Sequence, residues 1–321
     1  MKPFLRKHFS LLATLSVLLV LYVAASITYD GFFSWYQFTN LFGDNATLGL
    51  AAIGMTFVIL SGGIDLSVGA MIALTSMLVA KCVAVWGIPP PLAIPLVLLA
   101  GIAFGTGQGC VIHAFRLPPF LVTLAGMFLA RGLALVLTVE KRITLSDNTA
   151  YRALADVYIF GWTLPAIVFV LTLIAAMYVA KFTRFGRAVY AIGGKEASAL
   201  LMGLPVASTK IRVYAASGLC ASLAGVVHTI GSSAGDASVA YMLELDAIAA
   251  VVIGGTLLSG GVGSVFGTLI GVLISGIITV VPTYQGNLNS WWTKIAIGLL
   301  LLTFILLQRV LHLRSEKHTG P

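Results

Sequence analysis

The sequence predicts an all-α polytopic membrane protein of about ten transmembrane helices, and three observations carry that prediction. Of its 321 residues, 59% are hydrophobic and only 9% charged, whereas a soluble domain carries about 25% charged residues. The mean hydropathy is +1.02, in repeated apolar runs long enough to cross a bilayer. Two glycine-rich interruptions, at Ser61-Gly62-Gly63 and at Ser259-Gly260-Gly261, break long apolar segments. Membrane proteins confine such irregular backbone to places that protein or water can satisfy. A net charge of +8 in a soluble protein would point to nucleic acid. Here it reflects basic loops on one side of a membrane, so no nucleic-acid partner is expected.

The first predicted span covers Leu11–Ile27, behind Lys2, Arg6 and Lys7. Ala24-Ala25-Ser26 resembles a cleavage site, but the run exceeds a usual signal-peptide core and many spans follow, so an uncleaved helix is expected. Further spans are predicted at 44–60, 66–86, 92–113, 118–138, 162–180, 213–232, 246–259, 263–281 and 291–308. Lysine and arginine set the orientation. With the N-terminus inside, the inner segments hold Arg116, Lys181, Arg184, Arg187, Lys195, Lys210, Arg212, Arg309, Arg314 and Lys317, whereas the outer loops hold Lys141, Arg142 and Arg152 among several acids. Both termini are therefore predicted inside, and both glycine breaks fall on the inner side.

Two segments outside the spans stand out. Residues 139–161 form the longest outer loop and 181–212 the longest inner one. Within the latter, Glu196–Met202 reads as a short helix between Gly193-Gly194 and Gly203-Leu204-Pro205. A short helix held off the membrane by glycine hinges suits docking on another protein; the plainer alternative is a basic loop on anionic lipid.

The first glycine break, Thr56–Gly69, carries the most chemistry. Gly62-Gly63 permits positive φ, and Asp65 or Ser67 can accept the orphan N–H bonds of the helix that restarts behind them. No G-x-x-x-x-G-K-S/T, H-E-x-x-H or G-x-S-x-G sequence is present, so neither a phosphate cradle nor a hydrolytic centre is expected in this chain. The histidines at 8, 113, 228, 312 and 318 are scattered, and Cys82, Cys110 and Cys220 lie in apolar stretches with no metal-ligand spacing. Intramembrane charge is sparse: Asp44, Asp65, Lys81 and Lys294 lie near span ends, and Arg131 lies inside one. That weakens an ion-coupled mechanism. Gly101, Gly105 and Gly109, like Gly263, Gly267 and Gly271, repeat every four residues, a stripe that lets helices approach closely.

Four blocks together resemble the permeases of ABC importers for ribose, galactose and related monosaccharides: Ser61–Gly69, Arg184–Gly194, Glu244–Gly255 and Ser259–Gly267. They run in order over nearly the whole chain. The tail from Ser290 to Gly298, with Leu307-Gln308-Arg309, is more similar to a permease of galactofuranose importers. The resemblance implies one ten-helix permease domain over residues 1–321 in the bacterial inner membrane. Its implied partners are a second permease subunit, a cytoplasmic ATP-binding cassette subunit, a periplasmic sugar-binding protein and the monosaccharide cargo. It implies no cofactor in this chain, ATP and Mg being bound by the partner ATPase. The 181–212 loop is similar to the family's ATPase-docking segment, which nominates Arg187, Gly193, Gly194, Glu196, Ala197, Ser198 and Gly203. Ser198 replaces a second Ala of the family pattern, and Gly203 stands one residue late. Path and gate candidates are Asp44, Asn45, Ser61, Gly62, Gly63, Asp65, Ser67, Ser259, Gly260, Gly261, Trp291 and Trp292.

Overall fold

The computed structural model describes residues 3–137, 142–285 and 291–316 and, within these, the side chains of all but 3–10, 282, 283, 285, 291 and 307–316. The chain is almost wholly helical. Helix α1 (Pro3–Thr28) leads to α2 (Trp35–Asp44) and α3 (Ala46–Leu60), then α4 (Val68–Ala80), which a π-helical turn extends through Val85. There follow α5 (Pro90–Ala114), α6 (Pro119–Val136), strand β1 (Arg142–Thr144), α7 (Thr149–Ala155), β2 (Tyr158–Ile159), β3 (Trp162–Thr163) and α8 (Leu164–Phe182). The second half comprises α9 (Arg184–Gly194), α10 (Glu196–Leu201), α11 (Val206–Ser232), β4 (Ala234–Asp236), α12 (Leu243–Ile253), α13 (Val265–Gln285) and α14 (Trp291–Glu316).

Six of these helices are long and apolar enough to cross a membrane, and the pair α2–α3, bent by 54° at Asn45, makes a seventh candidate. The apolar stretches Val265–Val281 and Trp292–Leu306 are shorter. Every predicted span coincides with a helix, but several boundaries differ: α1 starts eight residues before its predicted span and α14 ends eight residues after its own. Helix α2 lies before the span predicted from 44, because its aromatic-rich sequence alternates with polar residues. Helix α11 begins at Val206 rather than 213: Lys210 and Arg212 lower the local hydropathy without breaking the helix, and Lys210 is satisfied by Glu196 at 2.7 Å. Helix α12 ends at Ile253, six residues before the predicted boundary, where Gly254 caps it. Residues 138–141, including Glu140 and Lys141 of the expected outer loop, lie outside the described residues.

Helices α3, α4 and α11 form the centre. Helices α3 and α4 are almost completely buried, and α11 packs against both and against α5. The small-residue stripe allows the α5–α11 approach. A methyl group on Gly109 would lie 2.8 Å from the Ile211 Cα, and one on Gly101 2.7 Å from the Gly218 carbonyl oxygen, so the two backbones lie nearly in contact. At the outer end, β1 pairs antiparallel with β4, Arg142 opposite Asp236, and β2 with β3. Tyr151 of α7 is buried there and hydrogen-bonds the Thr229 hydroxyl of α11. Its burial pushes the phenol up to about 12.

Candidate functional site

The first glycine break folds as its composition requires. Helix α3 ends at Leu60; Gly62 takes φ +84, and the chain turns back into the protein before α4 begins. Asp65 is 3% exposed. One of its oxygens accepts from the Ser67 amide at 2.9 Å and the Ser67 hydroxyl at 2.6 Å; the other accepts from the Ser217 hydroxyl of α11 at 2.7 Å. The Ser67 hydroxyl also lies 3.2 Å from Gln108 Oε1 on α5, and Thr123 of α6 donates to the Ile64 carbonyl. Neither capping candidate bonds an N–H of α4 itself: Asp65 accepts from the Ser67 amide, one residue ahead of the helix, and the Ser67 side chain makes no capping bond. The carboxylate ties the start of α4 to α11, in line with the doubled strength of charge-assisted bonds.

The second break, between α12 and α13, reaches the same place. Gly260 and Gly261 have φ +86 and +74, and the Gly261 amide donates to the Leu60 carbonyl at 3.0 Å. A methyl group on Gly260 would stand 2.9 Å from the Gly62 Cα and 3.0 Å from the Gly193 carbonyl oxygen; one on Gly261 would stand 2.6 Å from the Gly194 amide nitrogen. Three segments distant in sequence therefore touch through bare backbone: the end of α3, the α12–α13 break and the end of α9. Tyr190 of α9 adds a hydrogen bond to the Gly263 carbonyl at 3.0 Å, and Thr56 of α3 bonds Thr268 of α13 at 2.7 Å.

From this junction the chain continues directly into α10. There Glu196 and Ala197 are exposed, Ser198 is half-buried, and Ala199 packs with Ile192 and Val206. Leu200, Leu201 and Met202 stand out, Leu201 at 90% exposure; Gly203 turns the chain back with φ +74. Arg187 is exposed on α9, its guanidinium 3.4 Å from the Phe182 carbonyl. The expected docking residues thus cluster on one protrusion beside both breaks.

The path candidates divide. Ser61, Gly62, Gly63, Asp65, Ser67, Ser259, Gly260 and Gly261 gather at or just behind the junction. Asp44 and Asn45 lie at the far end of α3, where exposed Asp44 ends α2 and Asn45 is buried, bonding the Leu41 carbonyl. Trp292 lines an apolar cleft of about 530 Å³ with Tyr29, Ala25, Ile277 and Val281, away from both breaks. The Trp291 side chain lies outside the described residues. Arg131, placed inside a span by the sequence, donates from Nη1 to the Ala237 and Val239 carbonyls, both at 2.9 Å. Lys294 pairs with Asp246 at 2.5 Å. Sequence reasoning did not single out the 237–242 turn that Arg131 grips: it contains no glycine or proline, and Arg131 was its only signal.

Comparison with known proteins places this geometry in a family. Residues 37–305 match the family described as branched-chain amino acid transport system / permease component. The chain is 46% identical to the inner membrane ABC transporter permease protein YjfF of Escherichia coli, over 95% of this chain and 93% of that protein. It is 42% identical to the ribose import permease protein RbsC of Bacillus subtilis (91% and 90%) and 35% identical to the fructose import permease protein FruG of Bifidobacterium longum (95% and 92%). No solved structure matches it. With family pattern and relatives both running nearly end to end, the chain belongs to this ABC-transporter permease family, as a multi-pass inner-membrane subunit that is not itself an enzyme and leaves ATP hydrolysis to a separate subunit.

Proposed function

We propose that the chain is the membrane-spanning subunit of a binding-protein-dependent ABC importer that carries a monosaccharide, galactofuranose, into the cytoplasm. The observation that carries the proposal is the glycine junction. The protrusion formed by α9 and α10 touches the end of α3 and the α12–α13 break through backbone, so force on α10 reaches both breaks without passing through flexible side chains. An ATP-binding cassette subunit holding ATP and Mg would dock on α10, where the exposed Leu200–Met202 cluster offers the apolar anchor such interfaces use. ATP-driven closure of the cassette pair would then rock the helices between outward- and inward-facing states. A periplasmic sugar-binding protein would dock at the opposite end, where Asp30, Asp147 and Asp156 offer partners for its basic residues. A second, different permease subunit completes the membrane part.

The choice of sugar rests on the likeness of the Ser290–Gly298 tail to galactofuranose permeases; the names of the ribose and fructose relatives support the broader class of monosaccharides. The test is uptake of radiolabelled galactofuranose, ribose, xylose and fructose by vesicles containing the complete complex and its binding protein. ATP-dependent uptake of galactofuranose above the others supports the proposal. Preference for ribose or xylose keeps the class and removes the specific sugar. Uptake that needs no ATPase and collapses with an ionophore makes the chain an ion-coupled carrier.

A further inference from the structure

Between β4 and α12 the chain does something neither glycine break does: it enters the protein from the outer end as non-helical backbone and stays partly uncovered, with Ser238, Tyr241 and Met242 exposed. The descent is fixed by α4. Gly235 lies against Ala80 and the Ser76 carbonyl, whereas the Ala240 carbonyl and the Glu244 carboxylate lie against Gly69. Eleven helical residues separate Ala80 from Gly69, about 16 Å of rise. Arg131, which grips the Ala237 and Val239 carbonyls, is twelve residues above the start of α6, about 18 Å from that helix's inner end. The turn 237–242 therefore sits near the middle of a bilayer core about 30 Å thick.

Its backbone is held in an unusual state. Ala240 and Met242 both have left-handed φ, 56° and 63°, on either side of Tyr241, a conformation that strains any residue but glycine. Arg131 fixes the preceding carbonyls, and Glu244, 9% exposed, lies behind the turn. The result is that Tyr241 is thrust outward at 78% exposure, with Ser238 and Met242 exposed beside it. Non-helical backbone at membrane depth is tolerated only where protein buries it or where it lines a water-filled cavity. This chain buries Ala237 and half-buries Val239 and Ala240 but leaves Ser238, Tyr241 and Met242 open, and a phenol aimed into lipid would leave its hydroxyl without a partner.

We infer that the turn 237–242 lines the aqueous path through the transporter and that Tyr241 is a substrate-contacting residue. Its ring offers a platform for the apolar C–H face of a passing monosaccharide, and its hydroxyl a hydrogen bond to a sugar hydroxyl. Arg131 is a positioning residue, holding the turn through two carbonyls. This inference rests on the sugar-import reading for the identity of the cargo, but not for the aqueous position of the turn.

The test uses the complete complex in membrane vesicles, with Cys82, Cys110 and Cys220 replaced by alanine and Tyr241→Cys introduced. A charged, membrane-impermeant thiosulfonate should modify the new thiol, and Arg131→Gln should change the rate of modification at least threefold by releasing the turn. With galactofuranose and ribose as probes, Tyr241→Phe, which keeps the ring but loses the hydroxyl bond, should slow import about threefold, less than Tyr241→Ala. Tyr241→Ala should lose at least tenfold, with assembly checked by co-purification. A thiol that reacts only with a lipid-soluble maleimide, or with neither reagent, overturns the aqueous placement; a second permease covering the turn gives the latter result. Parental import by an assembled Tyr241→Ala complex overturns the contact with sugar. If the parent complex moves no monosaccharide, the sugar reading falls, while the thiol chemistry still decides where the turn lies.

Discussion

Gly193→Ala is the sharpest perturbation of the glycine junction, because its effect is steric alone. Gly193 is helical rather than left-handed, so alanine meets no backbone strain. Its Cβ would overlap the Leu60 carbonyl oxygen and stand 2.5 Å from the Gly261 nitrogen and 2.9 Å from the Leu60 carbonyl carbon. Comfortable carbon contacts begin near 3.5 Å, so α9 and the end of α3 must separate by about 1 Å or more. These neighbours are all backbone and cannot rotate away. Overpacking of this kind costs about 1–3 kcal/mol. The separation also stretches the Gly261-to-Leu60 hydrogen bond, 3.0 Å long, worth about 0.5–1.5 kcal/mol. A loss of about 1.5–4.5 kcal/mol is expected in all, read as an unfolding-midpoint shift in detergent, together with at least tenfold slower uptake by complexes that still assemble. Gly194→Ala is the matched steric control: a methyl group there meets nothing within 4 Å, so stability should stay near the parent's. If the two variants behave alike, the three segments are not in contact and the coupling argument fails.

Other expectations follow from the same geometry. Asp65→Asn replaces a carboxylate that accepts three hydrogen bonds and should cost about 1–3 kcal/mol; an unchanged melting midpoint would remove the carboxylate from the lock between α4 and α11. The Lys210–Glu196 pair is half open to solvent, with Glu196 54% exposed, so Glu196→Gln should change stability by less than about 1 kcal/mol. Loss of ATPase co-purification in that variant would then report a partner contact rather than misfolding. Tyr151, whose folded pKa is raised by burial from the usual value near 10 to about 12, favours folding in its neutral form. Its contribution is present below about pH 10 and is lost as pH rises towards 12, so Tyr151→Phe should flatten alkaline unfolding across that window; an unchanged alkaline limb would rule this phenol out as its source.

Much of this architecture is legible in sequence because the membrane imposes it. Apolar runs mark every span, and glycine pairs mark both breaks, since no other residue makes those turns cheaply. The first break also points to Asp65, although its carboxylate bonds Ser67 and Ser217 rather than the N–H groups of α4. What sequence hides is tertiary. Nothing local places Gly62, Gly193 and Gly260 at one point, because each satisfies its own segment's needs equally well. Helix α2 escaped because hydropathy averages away a polar-aromatic helix. The turn at 237–242 is hidden most deeply: Ala240 and Met242 are poor candidates for left-handed backbone, and only the surrounding contacts, Arg131 foremost, hold them there. Trp292 was singled out for its aromatic ring, yet its position is set by packing between α1, α13 and α14 rather than by either break.

The most direct measurement of the central claim is gentle solubilisation of the tagged chain from its native membrane, with crosslinking, followed by identification of what co-purifies and by reconstituted uptake with and without ATP. An ATP-binding cassette subunit should be recovered together with a second, different permease, and monosaccharide uptake should require ATP and the binding protein. Absence of any ATPase after crosslinking, with uptake driven by an ion gradient instead, would contradict that claim.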